Sequence, residues 1–222
     1  MRRETHKTTL WLFLFCAQFL SAEALRPLPT TLDNVQLGIG DMFPQACRRH
    51  VPFRIWVIQN SSLMTAAPGR AAPEALNRRS LKRFTAELNK RFHYLSGGRF
   101  SLRLKQVRII KMKAGDSPGD VEKQAVEQSG GRGVVMIVGP YDGGTYLGGG
   151  VFKIAPEEVT ARPFNRKALH EILHGLISPA HSTSRSSTLE QYNPLIGLDP
   201  QEARFLGWPE RPALPPDASV FE

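Results

Sequence analysis

The stretch GVVMIVGP, residues 133–140, constrains the fold more than any other part of the chain. An unbroken apolar run of this length, bounded by glycine and proline, is typical of a strand that is buried on both faces of a sheet. Such strands belong to mostly parallel sheets, because the crossover helices that join parallel strands cover both faces. The chain therefore needs helices around this strand, and the sequence predicts an α/β fold.

Strand and helix patterns alternate ahead of this buried run. Phe53–Asn60 is rich in β-branched and aromatic residues, so it predicts a strand. Glu74–Leu95 carries one apolar stripe at steps of three and four residues, which predicts an amphipathic helix. A second strand follows, with an irregular alternation near Gln106 that indicates a bulge, and then a short helix over Val121–Gln128. This order predicts an α/β sandwich around a mostly parallel sheet.

The second half of the chain contains fewer regular patterns. Residues 141–155 predict a turn, an edge strand and another turn, and Asn165–Ile177 predicts a helix. Asp199 is expected to cap a last helix, with Glu202 completing a capping box. The tail after Trp208 is rich in proline and is expected to be extended.

The first 24 residues are expected to be a secretory signal. A short basic lead precedes an apolar run that is too short to span a bilayer, and small residues follow, with cleavage expected between Ala24 and Leu25. An uncleaved anchor is the alternative. Residues 25–50 would then be an N-terminal arm or short pro-segment, residues 51–208 one domain, and residues 209–222 a proline-rich tail. We expect a secreted or periplasmic protein with no stable membrane insertion after signal cleavage.

Charge and cysteine content narrow the expected partners. The formal net charge of +9 falls to about +8 without residues 1–24, which contain three basic and two acidic residues. Most of the ten basic residues between Arg78 and Arg108 lie on a helix and a strand whose other faces are apolar, so they form either a solvated face or a surface attracted to an anionic envelope. No nucleic-acid-binding motif is present, so no nucleic-acid partner is expected. Cys47 is the one cysteine of the processed chain, which excludes an internal disulfide there.

The stretch ALHEILHGLISPAHS, residues 168–182, contains three histidines and one glutamate. On a helix, His170 and His174 project from the same face, about 6 Å apart along the axis, where two imidazoles can meet one Zn²⁺ ion. Glu171 lies about 100° round the helix from His170 and can accept a proton from a water beside that ion. Zinc lowers the pKa of such a water toward ~7 and polarises a carbonyl, which is the chemistry of peptide hydrolysis. The alternative interpretation is three surface histidines with no metal.

This motif resembles that of the metzincin clan of zinc endopeptidases, and the resemblance covers residues 53–208. The clan's longer motif is H-E-x-x-H-x-x-G-x-x-H, and the chain departs from it at two positions. Ile177 stands in place of the glycine, and the third histidine, His181, comes one residue later. Because a residue before proline is pushed out of the helical region, Ser178-Pro179 is expected to end the helix instead of the glycine.

The resemblance implies a set of zinc ligands and a fold. The implied ligands are three histidines: His170, His174 and His181. Later carboxylates are the rivals for the third position: Glu190, Asp199 and Glu202. The clan's fold would place an antiparallel edge strand beside the mostly parallel sheet, followed by an active-site helix and a small C-terminal subdomain.

The stretch STLEQYNP, residues 187–194, is similar to the Met-turn of the same clan. Glu190 stands at the position of the methionine, where it would be an extra zinc ligand, a hydrogen-bond partner of a ligand histidine, or a surface residue. Tyr192 would hydrogen-bond the oxyanion of the reaction, or it packs as an ordinary loop tyrosine.

The stretch GGTYLGGG, residues 143–150, is similar to the clan's edge strand above the cleft. There Tyr146, Leu147 and Gly148 would pair with the backbone of a peptide or protein substrate. The alternative is a glycine-rich hairpin with no part in substrate binding.

These features together predict an exported zinc-dependent endopeptidase that uses Glu171 as its general base. The alternative function is a catalytically altered zinc-binding protein of the same fold that acts as a binding module, which the departures at Ile177, His181 and Glu190 favour. A third interpretation is a basic exported binding domain without a metal.

Overall fold

The computed structural model describes residues 37, 40–59, 76–113, 115–162 and 164–221. The chain divides into two units, residues 1–34 and 35–222, and all described residues belong to the second. The expected signal segment and its cleavage site lie outside the described residues, as does most of the expected arm. Within the described part, no helix is long and apolar enough to cross a membrane.

Within the described residues, one sheet of five strands forms the centre of the fold. The strands are β1 (Val51–Gln59), β2 (Leu102–Lys111), β3 (Val134–Val138), β4 (Gly144–Gly148) and β5 (Val151–Ile154). Their spatial order is β2-β1-β3-β5-β4, and all neighbours are parallel except β4, which pairs antiparallel with β5. All five residues of β3 are buried, as the apolar run predicts. The predicted α/β class, with a mostly parallel sheet and an antiparallel edge strand, is confirmed.

The sheet differs from the prediction at strands β4 and β5. The sequence predicts one edge strand between two turns, whereas the chain forms a hairpin whose second strand joins the parallel part of the sheet. Gly149 and Gly150 permit this reversal, because both adopt left-handed φ values (58° and 78°) that glycine tolerates. β5 has only four residues, VFKI, so its pattern is too short to predict from periodicity.

The helices of the described part are α1 (Phe43–Ala46), α2 (Arg78–Ser96), α3 (Pro118–Ser129), α4 (Pro156–Thr160), α5 (Lys167–Leu176) and α6 (Pro200–Leu206). α2 begins later than predicted, because the side chain of Asn77 accepts the Ser80 N–H and caps the first turn. Gly97 ends α2 in a left-handed conformation. The predicted capping box of Asp199 and Glu202 is present at the start of α6.

Two apolar layers enclose the sheet. The larger layer lies between the sheet and helices α2 and α5, and includes Phe53, Leu88, Phe92 and Met136. The smaller layer lies under α3, which packs against β3, β4 and β5. Helix α5 contacts β4 and β5. It therefore carries the HExxH residues to the side of the sheet where the antiparallel edge strand lies.

The C-terminal tail packs on the domain. Ile196 and Leu214 form an isolated β-bridge, and a 3-10 turn over Ser219–Phe221 follows. The buried guanidinium of Arg91 in α2 donates to the Pro216 carbonyl at 2.7 Å. The tail expected to be extended therefore closes one end of the larger core.

Candidate metal centre

Helix α5 carries the first two histidines and is fixed by its apolar side. Leu169, Ile172 and Leu173 are buried in the larger core. On another side, the backbone N–H of Met42 donates to the Gly175 carbonyl at 2.8 Å. A Cβ at Gly175 would lie 3.0 Å from the Met42 sulfur, so this close approach requires glycine. The chain that precedes β1 thus helps to hold the helix.

The structure brings His170, His174 and His181 together. The ring centroids lie 4.6 Å apart for His170 and His174, 5.2 Å for His170 and His181, and 5.0 Å for His174 and His181. One nitrogen from each ring lies within 4.8 Å of the others, close enough to share a metal ion. His170 and His174 are buried and His181 is exposed, so the cluster opens to solvent on the His181 side.

Backbone carbonyls fix the proton positions on the two buried rings. The Nδ1 atom of His170 lies 2.7 Å from the Thr188 carbonyl oxygen, and that of His174 lies 2.8 Å from the Ser178 carbonyl oxygen. A carbonyl oxygen can only accept, so each Nδ1 carries a proton and each Nε2 presents a lone pair. The two Nε2 atoms lie 3.0 Å apart. Two lone pairs at this distance repel each other unless they share a cation.

A metal ion fits this position better than a proton. Burial lowers the pKa of His170 to about 3 and also lowers the pKa of His174, so protonation of either ring is unfavourable near neutral pH. Metal–nitrogen bonds of ~2.0–2.1 Å at a tetrahedral angle place two nitrogens about 3.3 Å apart. Imidazole ligands suit zinc and neighbouring transition metals, and such ligands usually donate their other N–H to a carbonyl or carboxylate.

The end of helix α5 determines where the third histidine lies. The last helical residue is Leu176, and the C-cap Ile177 comes between it and Ser178-Pro179. A residue before proline disfavours the helical region. The Ser178 carbonyl can therefore turn back toward the helix and accept the Nδ1–H of the His174 ring. The turn that ends the helix therefore orients one histidine and carries the chain on to His181.

Glu171 follows His170 on α5 and lies against the edge strand. Its carboxylate is buried and lies beside the backbone of Tyr146. Gly144 on the same strand makes room for it, since a Cβ there would lie 3.2 Å from a Glu171 carboxylate oxygen. Burial raises the pKa of Glu171 to about 7, with the charge of Lys167 acting in the opposite direction. A carboxylate with a pKa near neutrality is suited to accept a proton at that pH.

Arg166 joins the start of α5 to the loop after the third histidine. One guanidinium nitrogen donates to the Thr188 carbonyl at 2.6 Å, and the other donates to the Glu190 and Gln191 carbonyls at 3.1 and 2.9 Å. The Thr188 carbonyl is also the acceptor for His170. Arg166 thus holds in place the group that orients a histidine ring. The sequence prediction missed Arg166, although its position four residues before His170 on one helix face was an available signal.

Glu190 and Tyr192 lie in this loop but outside the histidine cluster. Within the described residues, the group of side chains able to share a metal contains the three histidines and no carboxylate. Glu190 contacts Arg166 through its backbone carbonyl. Tyr192 is 83% exposed, so its side chain is not packed in the loop.

The two later carboxylates, Asp199 and Glu202, also lie outside the cluster. Glu202 is fully buried and accepts the Ser187 hydroxyl at 2.7 Å and the Asp199 N–H at 2.9 Å. Burial, reinforced by the charge of Asp199, raises the pKa of Glu202 to about 7. These carboxylates fasten the loop between His181 and α6 to the start of that helix.

The expected substrate-pairing segment, Tyr146–Gly148, belongs to β4 at the free edge of the sheet. The Tyr146 backbone lies beside Glu171, and the Tyr146 hydroxyl donates to the carboxylate of Asp41. The same carboxylate accepts the backbone N–H of Gly149. Asp41 therefore connects the chain before β1, through two hydrogen bonds, to the edge strand beside the histidine cluster.

Comparison with known proteins gives no family for the chain. No family model matches it, and no curated protein matches it. Among solved structures, it is similar to a chain in a structure titled "Structure of a chaperone-substrate complex", with 14% sequence identity and a TM-score of 0.43. The match covers 79% of this chain and 33% of that one, so this chain spans about a third of that chain's length.

Proposed function

We propose that the chain is an exported zinc-dependent endopeptidase. The observation that carries the proposal is the arrangement of the histidines. The Nε2 atoms of His170 and His174 lie 3.0 Å apart with their lone pairs available, and a ring nitrogen of His181 lies within 4.8 Å of them. Three imidazoles with a fourth position open to substrate are the ligand set of a catalytic zinc site. The resemblance of the HExxH stretch to the metzincin motif supports the same function.

The residues around the site have distinct parts in the proposed reaction. Zinc, when bound, supplies Lewis-acid chemistry that activates a water and polarises the scissile carbonyl. His170 and His174 would hold the ion through Nε2, while the Thr188 and Ser178 carbonyls accept the Nδ1 protons. Glu171 takes the proton from the attacking water and passes it to the leaving amine. A pKa of about 7 allows the same carboxyl group to accept and then release a proton near neutral pH.

An extended polypeptide is the proposed substrate class. The outer edge of β4 has no sheet partner within the described residues, and its sequence GTYLG has no charged side chain. An extended peptide can add to such an edge as a further strand through backbone hydrogen bonds. A peptide placed there lies next to Glu171, which already contacts the backbone of β4. Backbone recognition of this kind favours unfolded chains over compact ones.

The test compares the purified wild-type chain with Glu171→Gln. The wild type is expected to contain one zinc ion and to cleave an unfolded protein, and a chelator should abolish cleavage until zinc is restored. Glu171→Gln should retain its zinc and lose about 10²- to 10⁴-fold in cleavage rate. Cleavage that survives both the substitution and the chelator would exclude the proposal.

The alternative function is a zinc-binding module of the same fold without proteolysis. The close approach of the β4 backbone to Glu171 favours it, because β4 then occupies part of the space through which a water must approach the carboxylate. One zinc ion per chain with no turnover on a broad peptide library would establish this alternative. Equal thermal stability with and without zinc, in wild type and His170→Ala alike, would instead indicate a binding domain without a metal.

A further inference from the structure

The positive charge of the chain is concentrated in one part of the fold. Residues 78–113, which span α2 and β2, contain twelve Lys or Arg residues and one acidic residue, Glu87. The whole chain contains 29 basic and 20 acidic residues, so the remainder has 17 and 19 and is close to neutral. The net charge of +9 therefore arises from this one helix–strand unit.

Three arginines, Arg54, Arg103 and Arg108, lie on the face of the sheet that also carries α3. Arg54 and Arg103 face this side because both sequence neighbours of each pack in the larger core on the other side. The guanidinium of Arg108 lies 5.0 Å from the ring centroid of Trp56, which belongs to the core under α3. Together these three residues form the arginine face.

The arginine face lies beside α3, which packs over β3, β5 and β4. Arg103 and Arg108 are exposed and Arg54 is half-buried. Within the described residues, no carboxylate forms an ion pair with any of the three. Charges on an edge strand commonly prevent association between sheets. That purpose does not account for Arg54, which lies on the inner strand β1.

We propose that the arginine face binds a linear anionic polymer that carries closely spaced sulfate or phosphate groups. Arginine forms paired hydrogen bonds with such groups and stays charged at physiological pH. Arg103 and Arg108 are five residues apart, or about 17 Å along β2. Arg54, on the neighbouring strand, pairs with Gln106, which lies between them in the sequence. Charges spread over about 17 Å on two neighbouring strands match a polymer better than a single ion.

Two other classes of anionic partner fit this face less well. A single-stranded nucleic acid binds through exposed aromatic rings on which its bases stack. Trp56 lies under Arg108 and is only 3% exposed, so it cannot stack on a base. A membrane surface would gain from exposed apolar side chains. Ile109 is 63% exposed, but it follows Arg108 on the strand and therefore faces the α2 side.

Binding at the arginine face would leave the metal centre accessible. β2 and β4 are the two opposite edges of the sheet, and the histidines lie on the β4 side. A bound polymer would concentrate the protein on an anionic surface while the β4 edge stays free. The inference requires neither a metal nor hydrolysis, so it can fail or succeed independently of the proposed function.

The test measures binding of the full chain to a sulfated heparin oligosaccharide and to polyphosphate of defined length. The wild type should bind both, with an affinity that falls steeply as salt rises. The double variant R103Q/R108Q should bind at least about tenfold more weakly at about 50 mM salt, with a smaller salt dependence. Adding R54Q should weaken binding further. The matched control R204Q/R211Q removes the same charge from exposed positions outside the unit and should retain most of the affinity.

Three results would overturn the inference. Equal losses in the two double variants would mean that only net charge matters. Tighter binding to a single-stranded oligonucleotide than to polyphosphate of equal charge would indicate contacts with bases. Binding to vesicles with anionic lipid, but to neither polymer, would indicate a membrane surface. If R103Q/R108Q does not fold by circular dichroism, R103K/R108K keeps the charge and should still lose affinity, because lysine lacks the paired donors.

Discussion

The two free edges of the sheet differ in the residues that form them. β2 presents four cationic side chains along ten residues: Arg103, Lys105, Arg108 and Lys111. β4 presents GTYLG, which has no charge, and lies against the helix with the HExxH residues. Charged edges resist the addition of further strands, whereas an uncharged edge can accept one. One sheet can therefore separate attraction to a charged surface from recognition of a peptide backbone.

Removing a histidine of the cluster, on the β4 side of the sheet, should cause the largest loss of zinc affinity. His181→Ala is expected to weaken zinc affinity by on the order of a hundredfold, since a protein zinc site divides its binding energy among few ligands. Competition with a chromophoric chelator measures this change. His93→Ala removes an exposed histidine from α2, outside the histidine cluster, and should leave the zinc affinity unaltered. Full zinc affinity in His181→Ala would rule out His181 as a ligand and direct attention to a later carboxylate.

Arg166→Gln should have the next largest effect. The Thr188 carbonyl loses its arginine partner, so it orients the His170 ring less well, and loss of such a partner typically costs about 10- to 100-fold in metal affinity. Cobalt substitution provides a second measurement, because the visible spectrum of the bound ion reports altered ligand geometry. Arg108→Gln, on β2, is the matched control. An unchanged affinity and cobalt spectrum in Arg166→Gln would show that the arginine has no such part.

The pH dependence should distinguish the two edges. Glu171 must be unprotonated to act as a base, and burial raises its pKa to about 7. As pH falls below that pKa, the fraction of the active form falls, so kcat/KM should drop about tenfold per pH unit. Bound zinc lowers this pKa by its charge, so the midpoint should lie at or below 7. Polymer binding at the arginine face does not involve Glu171, so it should not follow the pH profile of kcat/KM. A kcat/KM that does not fall on acidification, down to the lowest pH at which the chain keeps its zinc, would contradict the assignment of Glu171.

Gly144→Ala should have a smaller effect, confined to the β4 edge. The added Cβ would lie 2.9 Å from Lys167 Cγ and 3.2 Å from the Glu171 side chain, so the edge strand must move away from α5. We expect a loss of about 1 kcal/mol in the free energy of unfolding and a severalfold rise in KM. Thr145→Ala, at an exposed position on the same strand, is the control. Denaturant titration and steady-state kinetics measure the two effects, and wild-type values for both would show that the strand adjusts freely.

Removing two of the four positive charges on the β2 edge should have the smallest effect on hydrolysis. R103T/R108T gives β2 two uncharged residues that favour strands, so it becomes more like β4. We expect unchanged cleavage of a short peptide and an increased tendency to self-associate, measured by light scattering against concentration. A fall in peptide cleavage with no self-association would mean that the edges are not independent.

The elements that the sequence predicts well are those with strong local patterns. The apolar run of β3 and the amphipathic stripe of α2 are long enough to identify, and the spacing of His170 and His174 follows from helix geometry. β5 was missed because a strand of four residues carries too little periodicity. Features that depend on distant contacts were also missed. The Thr188 carbonyl that orients His170 is a backbone group, and backbone acceptors have no residue-type pattern.

The contacts of the segment before β1 have a consequence for the order of folding. Asp41 bonds to Tyr146 across 105 residues, and the Trp208 indole donates to the Ala46 carbonyl across 162 residues. Contacts between residues this far apart form late, because the chain must first close a long loop. The edge strand beside Glu171 is therefore fastened only when both ends of the domain are present. A chain still emerging during synthesis or export would lack the assembled site, which delays any proteolysis until the domain is whole.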